Sequence, residues 1–396
     1  MSEWKKVNLG DCCEITSSKR IFFSEYVESG IPFYRSKEII EKGKGEEISH
    51  PLYISKEKYD EIKGKYGVPQ KGDLLLTAVG SLGIPFVVKD DSPFYFKDGN
   101  LVWLKHFQDI DPIFLYYWIK SENGYNALYN IAIGSAQKAL TIAAIKGYEI
   151  PLPPLQTQHR IANILSRYDS LIENYQKQIK LLEEAAQRLY KEWFVDLRFP
   201  GHENTKIVDG VPEGWEKKRL IDLVDVQYGY AFDGKLFNSS GEGMPILRIR
   251  NIPDGITSDY TTEEAQDCYI VHNGDIVVGM DGIFHINSWS GGDAYLVQRA
   301  CSFRPKEECM KGFIFQAIQE PIKFFEKTLV GATVAHLGKK HIDSIELCIP
   351  KNFELYKPFS KFYNQRQGLL SQIRLLTEAR DRLLPKLMSG EINVES

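Results

Sequence analysis

The stretch "QIKLLEEAAQRLYK" at residues 178–191 returns 194 residues later as "QIRLLTEARDRLLP" at 372–385, with eight of fourteen positions identical. A chain that writes one helix twice, so far apart, is constrained to fold as two related units, each closed by the same element. The preceding segments repeat as well. "WKKVNLGD" (4–11) returns as "WEKKRLID" (215–222), "GIPFYRSKEI" (30–39) as "GMPILRIRNI" (243–252), and "QKGDLLLTAVGSLG" (70–83) as "HNGDIVVGMDGIFH" (272–285). Late in each unit "IGSAQKALTIAAIKGYEIPLP" (133–153) faces "VGATVAHLGKKHIDSIELCIP" (330–350). The order of segments is preserved. It predicts two globular domains, 1–153 and 201–350, each followed by a long helix, over 154–200 and 351–396.

Inside each domain the apolar runs are short, β-branched and aromatic, as in "GIPFYR", "DLLLTAV", "NLVWLK" and "DIVVGM", which is a strand signal. Gly72-Asp73 and Gly274-Asp275 are placed in turns that open strands. Residues 111–129 read as a helix with Pro112 at its start. The domains are therefore mixed α/β (α+β). Their strand order is not legible.

The long helices are the clearest statement in the chain. Apolar residues fall at Ile161, Leu165, Tyr168, Ile172, Tyr175, Ile179, Leu182, Ala186, Leu189 and Trp193, alternating steps of four and three. That is a coiled-coil seam. Its repeat is Leu355, Phe359, Phe362, Arg366, Leu369, Ile373, Leu376, Arg380, Leu383 and Leu387. Two arginines interrupt it, their charged ends free to reach solvent or a partner carboxylate. Pro358 suits a first turn, and Pro385 is expected to kink or end its helix. The first helix must carry the chain to the second domain and the second must run back. An antiparallel pair with pseudo-two-fold symmetry follows, holding two heads at opposite ends. From 161 to 193 such a helix spans roughly 50 Å. The aromatic end "YKEWF" (190–194) is predicted to pack under the second domain.

Two related but non-identical heads at a set interval suit a ligand with two different sites at a set interval. Duplex DNA presents one face about every 34–36 Å. Bulk charge does not announce it, since the net charge is −4. Residues 1–153 carry 19 basic and 20 acidic side chains, and residues 201–350 carry 15 and 22. A self-sufficient DNA binder is usually plainly basic. Six cysteines without CxxC spacing argue against structural zinc and a disulfide framework, leaving reduced buried thiols. With no signal-peptide pattern and no apolar run long enough to span a bilayer, the chain reads as soluble and cytoplasmic.

No catalytic constellation emerges. Asp111-Pro112-Ile113-Phe114 lacks the second proline of an amino-methyltransferase loop, so a helix start is the better reading. "VGSLG" (79–83) is a turn rather than a cofactor loop, because no helix pattern follows it. There is no P-loop, and the eight histidines lack metal spacing.

"PLPPLQTQHRI", "LYKEWFVDLRFPG" (189–201) and "RDRLLPKLMSGEI" (380–392) resemble the specificity subunit of type I restriction-modification enzymes. The second junction, "CIPKNFELYKPF", departs from that pattern while its helix keeps the period. The resemblance implies that each head is a target recognition domain for one half-site of a bipartite, asymmetric DNA sequence. It implies helices that dock two modification subunits carrying S-adenosylmethionine and methylating adenine. Restriction subunits using ATP and Mg²⁺ then join them. This chain would hold no cofactor and catalyse nothing, and its partners would supply much of the phosphate neutralisation. A protein-interaction scaffold and a self-contained methyltransferase are the rival readings.

Candidate base contacts lie on the matched segments. Arg35 and Lys37 correspond to Arg248 and Arg250 on the strand after the Gly-x-Pro turn, with Asn251 beside them. Arginine suits guanine and asparagine suits adenine, although an edge strand facing water would look the same. Thr77, Ser81, Asp281 and His285 occupy the loops after the Gly-Asp strands. Gln137 and Lys138 are matched loosely by His336, Lys339 and Lys340, where a helix start capped by Ser135 is the alternative. Lys177, Glu184 and Arg188 would border the partner's docking surface.

Overall fold

A computed structural model describes residues 4–134, 138–329 and 335–394. The chain divides into two compact units, Met1–Glu173 with Leu376–Ser396, and Asn174–Leu375. The division falls inside two long helices, Leu155–Tyr190 and Lys357–Met388. Each unit is thus a globular head plus part of both helices.

In the first unit one antiparallel sheet runs Glu14–Thr16, Leu101–Lys105, Leu74–Thr77, Pro85–Val87. A second runs Tyr26–Val27, Leu52–Ile54, Ile31–Tyr34, Tyr95–Phe96, its last pair parallel. The central strands are buried on both faces: Leu74, Leu75, Leu76 and Thr77 are all covered, which is why they read as a continuous apolar run. Helices Pro112–Lys120 and Glu122–Asn130 pack beside this sheet. Residues 111–129 therefore form two helices rather than the single one expected. Ser121 makes the break, its hydroxyl donating to the Trp118 carbonyl (2.6 Å) and accepting from Gly124 N (3.1 Å), as a cap does. Lys5–Asn8 pairs with Glu149–Leu152 and closes the head at the root of the long helix.

The second unit repeats this order. Val224–Tyr228, Ala300–Pro305, Ile276–Gly279 and Ile286–Ser288 form one sheet, and Met244–Leu247 lies parallel to Ala294–Leu296 in the other. Trp215–Arg219 pairs with Glu346–Pro350 at the root. One difference is local. The first head carries helices Ser36–Lys44 and Lys56–Tyr66 after its Gly-x-Pro strand, whereas the second has the single turns Ile249–Asn251 and Asp267–Tyr269 there.

Within each unit the helix segments run antiparallel. In the first, Arg380 meets Asp169 at 2.6 Å, and Arg160, nine residues earlier on the same helix, donates to the Val394 carbonyl at 2.7 Å. Tyr117 also donates to Asp169 (2.6 Å); burial and that bond push its phenol well above the usual range. In the second, Arg366 meets Glu183 at 2.6 Å, while Tyr190 packs on Phe359. Both seam arginines thus find carboxylates rather than water. Ile161, Leu165, Ile172 and Leu387 are buried in the first unit, as are Ile179, Ala186, Leu355 and Phe359 in the second. The remaining apolar seam positions, Tyr168, Tyr175, Leu182, Leu189, Trp193, Phe362, Leu369, Ile373, Leu376 and Leu383, are half-buried. Phe194 lies against Trp215, Phe313 and Phe359, so the aromatic helix end packs under the second head as expected. Pro385 does not end its helix, which runs on to Met388.

Candidate nucleic-acid interface

Arg35 and Arg248 are not strand residues. Each is the N-cap of the turn that follows, Ser36–Lys44 or Ile249–Asn251. The preceding strand Ile31–Tyr34 is internal, paired on both sides, so the edge-strand alternative is also excluded. Arg35 closes on Glu38: its backbone N–H donates at 2.8 Å and its Nε at 3.1 Å. Burial disfavours the Glu38 charge, yet Arg35 holds its carboxyl below the usual carboxylate range. Asn251 Oδ1 accepts from Arg248 N at 2.9 Å, so its oxygen caps this turn. Lys37 approaches Glu41 (3.5 Å), and Arg250 forms a bidentate pair with Asp259, with Nη2 at 2.6 Å. Arg248 differs. Its guanidinium lies over the Phe237 ring at 5.4 Å.

Thr77 is fully buried. Its hydroxyl donates to the Ser81 carbonyl and accepts from Ile84 N at 2.8 Å, holding the 77–84 turn shut instead of facing a ligand. Ser81 at the tip is exposed. Gly83, with φ of +73°, packs where an added Cβ would lie 3.1 Å from Leu128. Over this turn Tyr125 stacks on Tyr129 at 6.1 Å, and Lys138 Nζ lies 3.7 Å from the Tyr129 ring centroid. Val79 and Ile133 both bridge to Ala139. The Asn100 carbonyl accepts from Ala78 N (2.8 Å) and Ser36 Oγ (3.2 Å), so the turn and the Arg35 cap meet at one strand end. Gln137 and the Ser135 cap lie outside the described residues.

The second head gathers its candidates more tightly. Arg248, Arg250 and His285 line a recess of about 500 Å³ together with Phe232, Phe237, Gln298 and Arg299. Arg299 also lines an adjoining recess with Asp281, Gly282 and His336. Asp281 meets Arg299 at 3.0 Å and His336 at 2.6 Å. Lys339 and Lys340 sit apart, exposed on the short helix Lys339–Asp343, with Lys339 paired to Asp343 at 3.3 Å. Arg299 is a site residue that the sequence does not mark, since it lies outside the loops that follow the Gly-Asp strands. Alignment of "NLVWLKH" with "RACSFRP" places it opposite Asn100, at the start of the strand that pairs with the Gly-Asp strand.

Asp111 caps Pro112–Lys120 by accepting from Ile113 N at 2.7 Å, which makes that string a helix start and not a catalytic loop. Burial pushes the Cys13 thiol up to about 12, and burial raises Cys301 as well. Among the described residues no group of three or more His, Cys, Asp or Glu is arranged to hold a metal ion, and no helix is long and apolar enough to cross a membrane.

Duplicated mixed α/β heads, each joined to antiparallel helices, define a two-headed recognition protein. Residues 1–184 and 212–374 match the family model described as type I restriction modification DNA specificity domain. The chain belongs to that family, as a type I restriction-modification specificity subunit, and the rival scaffold reading is not favoured. It is 28% identical over 362 residues to the type I restriction enzyme MjaIX specificity subunit of Methanocaldococcus jannaschii, covering 82% of this chain and 78% of that one. The MjaVIII specificity subunit of the same organism is 26% identical over 422 residues, covering 100% and 94%. The crystal structure of the S subunit from M. genitalium shares the fold, with a TM-score of 0.59 at 18% identity over 97% of this chain and 96% of that one.

Proposed function

We propose that this chain reads a bipartite, asymmetric duplex sequence, one half-site per head, and catalyses nothing itself. The observation that carries this is the pair of heads with equivalent strand order but different chemistry at the equivalent strand end: Tyr129 and Lys138 in one, Asp281, Arg299 and His336 in the other. Equivalent folds would meet the duplex similarly, and unlike side chains would select unlike bases. The antiparallel helices set the unread interval between half-sites. Two modification subunits dock on the helix exteriors, where Leu171, Leu181 and Leu375 are exposed beside charged residues such as Lys177, Glu184 and Arg188. An exposed leucine at one helix position and again at its repeat, 181 and 375, fits two copies of one partner. S-adenosylmethionine belongs to those subunits, and ATP and Mg²⁺ to the restriction subunits that join them, all in the cytoplasm. Phosphate neutralisation comes largely from the partners, consistent with a net charge of −4.

The test is co-expression with the cognate modification subunits. The expected result is a stable complex that shifts a duplex only when both components are present. In the host, deletion of this chain should abolish adenine methylation at one bipartite motif. A methylation pattern identical with and without the chain contradicts the reading.

A further inference from the structure

The charged cluster at the strand end of the second head is organised around one carboxylate. Asp281 is largely covered, its side chain 18% exposed, and each oxygen has its own partner: Oδ2 faces Arg299 Nη1 at 3.0 Å and Oδ1 faces His336 Nδ1 at 2.6 Å. Those partners are open to solvent, Arg299 at 68% and His336 at 60%. The backbone of Arg299 is left-handed, with φ of +69°. Such a conformation is strained for a residue with a Cβ and concentrates at functional positions. It is fixed on both sides: the Arg299 carbonyl accepts from Met280 N at 2.8 Å, and Ala300 enters the ladder opposite Gly279. Among the described residues the first head has no such cluster. In the same register it holds Asn100, with Val79 and Ala139 bridged where Asp281 and His336 are bridged here.

A guanidinium whose Nη1 is paired with a carboxylate oxygen is restrained on that side and leaves its Nε and Nη2 donors open in one plane. Guanine offers two acceptors, N7 and O6, to such a fork in the major groove. We propose that Arg299 is the specificity-determining residue of the second head, reading a guanine, and that Asp281 is a positioning residue that touches no base. His336, on the other carboxylate oxygen, keeps Asp281 from turning away. This rests on the DNA-recognition reading above and names the contact within it.

The test uses the full chain reconstituted with its modification subunits, offered duplexes randomised in both half-sites, with methylated products sequenced. In R299A and R299K, preference for one G·C pair in one half-site should fall by on the order of 10- to 100-fold. The other half-site should be unchanged. Lysine keeps the charge but loses the fork, so R299K separates readout from loss of fold or of charge. D281N should relax the same base pair, which a purely structural role would not do. An unchanged base profile in R299A and R299K, whether or not melting temperature or overall rate falls, overturns the inference. So does D281N relaxing a different base pair. A wild-type complex with no sequence preference overturns the recognition reading itself, so the two failures are distinguishable.

Discussion

At the strand end after Ala78 the first head presents Asn100 beside a turn roofed by Tyr125 and Tyr129, with Lys138 over the second ring. At the matching strand end after Met280 the second head presents Arg299 and His336 on either side of Asp281. The backbone hydrogen bonds that build the two corners are the same, Ala78 N to Asn100 O and Met280 N to Arg299 O, each 2.8 Å. Duplication has therefore kept the frame and replaced what it displays. One corner is aromatic and stacked; the other is ionic and forked. The frame is fixed by buried apolar strands, where change is costly. The rim is solvated, where change is cheap and bears on specificity.

The strongest way to break this comparison is to exchange the first head for that of a relative. One half-site should change entirely and the other not at all, with each mismatched base pair costing about 1–3 kcal/mol. Methylation sequencing of the chimaeric complex reads both at once. A change in both half-sites contradicts independent heads.

The seam arginines sharpen the comparison next, because the two units use them unequally. Arg366 is buried and bonds Glu183, Asn287 and Ser288, whereas Arg380 bonds Asp169 and its neighbour Asp381. Arg366→Ala should cost about 2–3 kcal/mol, since it leaves buried polar groups unpaired. Arg380→Ala should cost about 1 kcal/mol less, as Asp381 can return to water. Denaturant midpoints of the two variants test the order.

Smaller effects distinguish frame from rim in the first head. Thr77→Val should destabilise by about 1–2 kcal/mol through the opened 77–84 turn, with base preference unchanged in a selection on random duplexes. Lys138→Ala should cost only about 0.5–1 kcal/mol of duplex affinity, all of it at one half-site.

The architecture was legible where hydrophobic period decides structure. The seam from Ile161 to Trp193 and its repeat marked both long helices, and the short apolar runs after Gly72-Asp73 and Gly274-Asp275 marked the central strands. The site was legible only by segment. Arg35 and Arg248 look like strand residues because nothing local marks the turn that begins at each. Thr77 looks like a loop residue because its hydroxyl partners, Ser81 and Ile84, are satisfied through backbone geometry. Asn251 looks like a free polar side chain, yet its oxygen also caps the turn that begins at Arg248. Arg299 stayed hidden because its importance comes from Asp281, 18 positions away, which meets both it and His336 only in the fold.

The central claim is that the antiparallel helices fix the interval between half-sites. Inserting one heptad into each helix, at matched positions that keep the seam in phase, lengthens the pair by about 10 Å. The unread spacer in the methylated motif should then grow by about three base pairs, at ~3.4 Å each, while both half-site sequences stay as they are. A spacer of unchanged length in that variant would contradict the account.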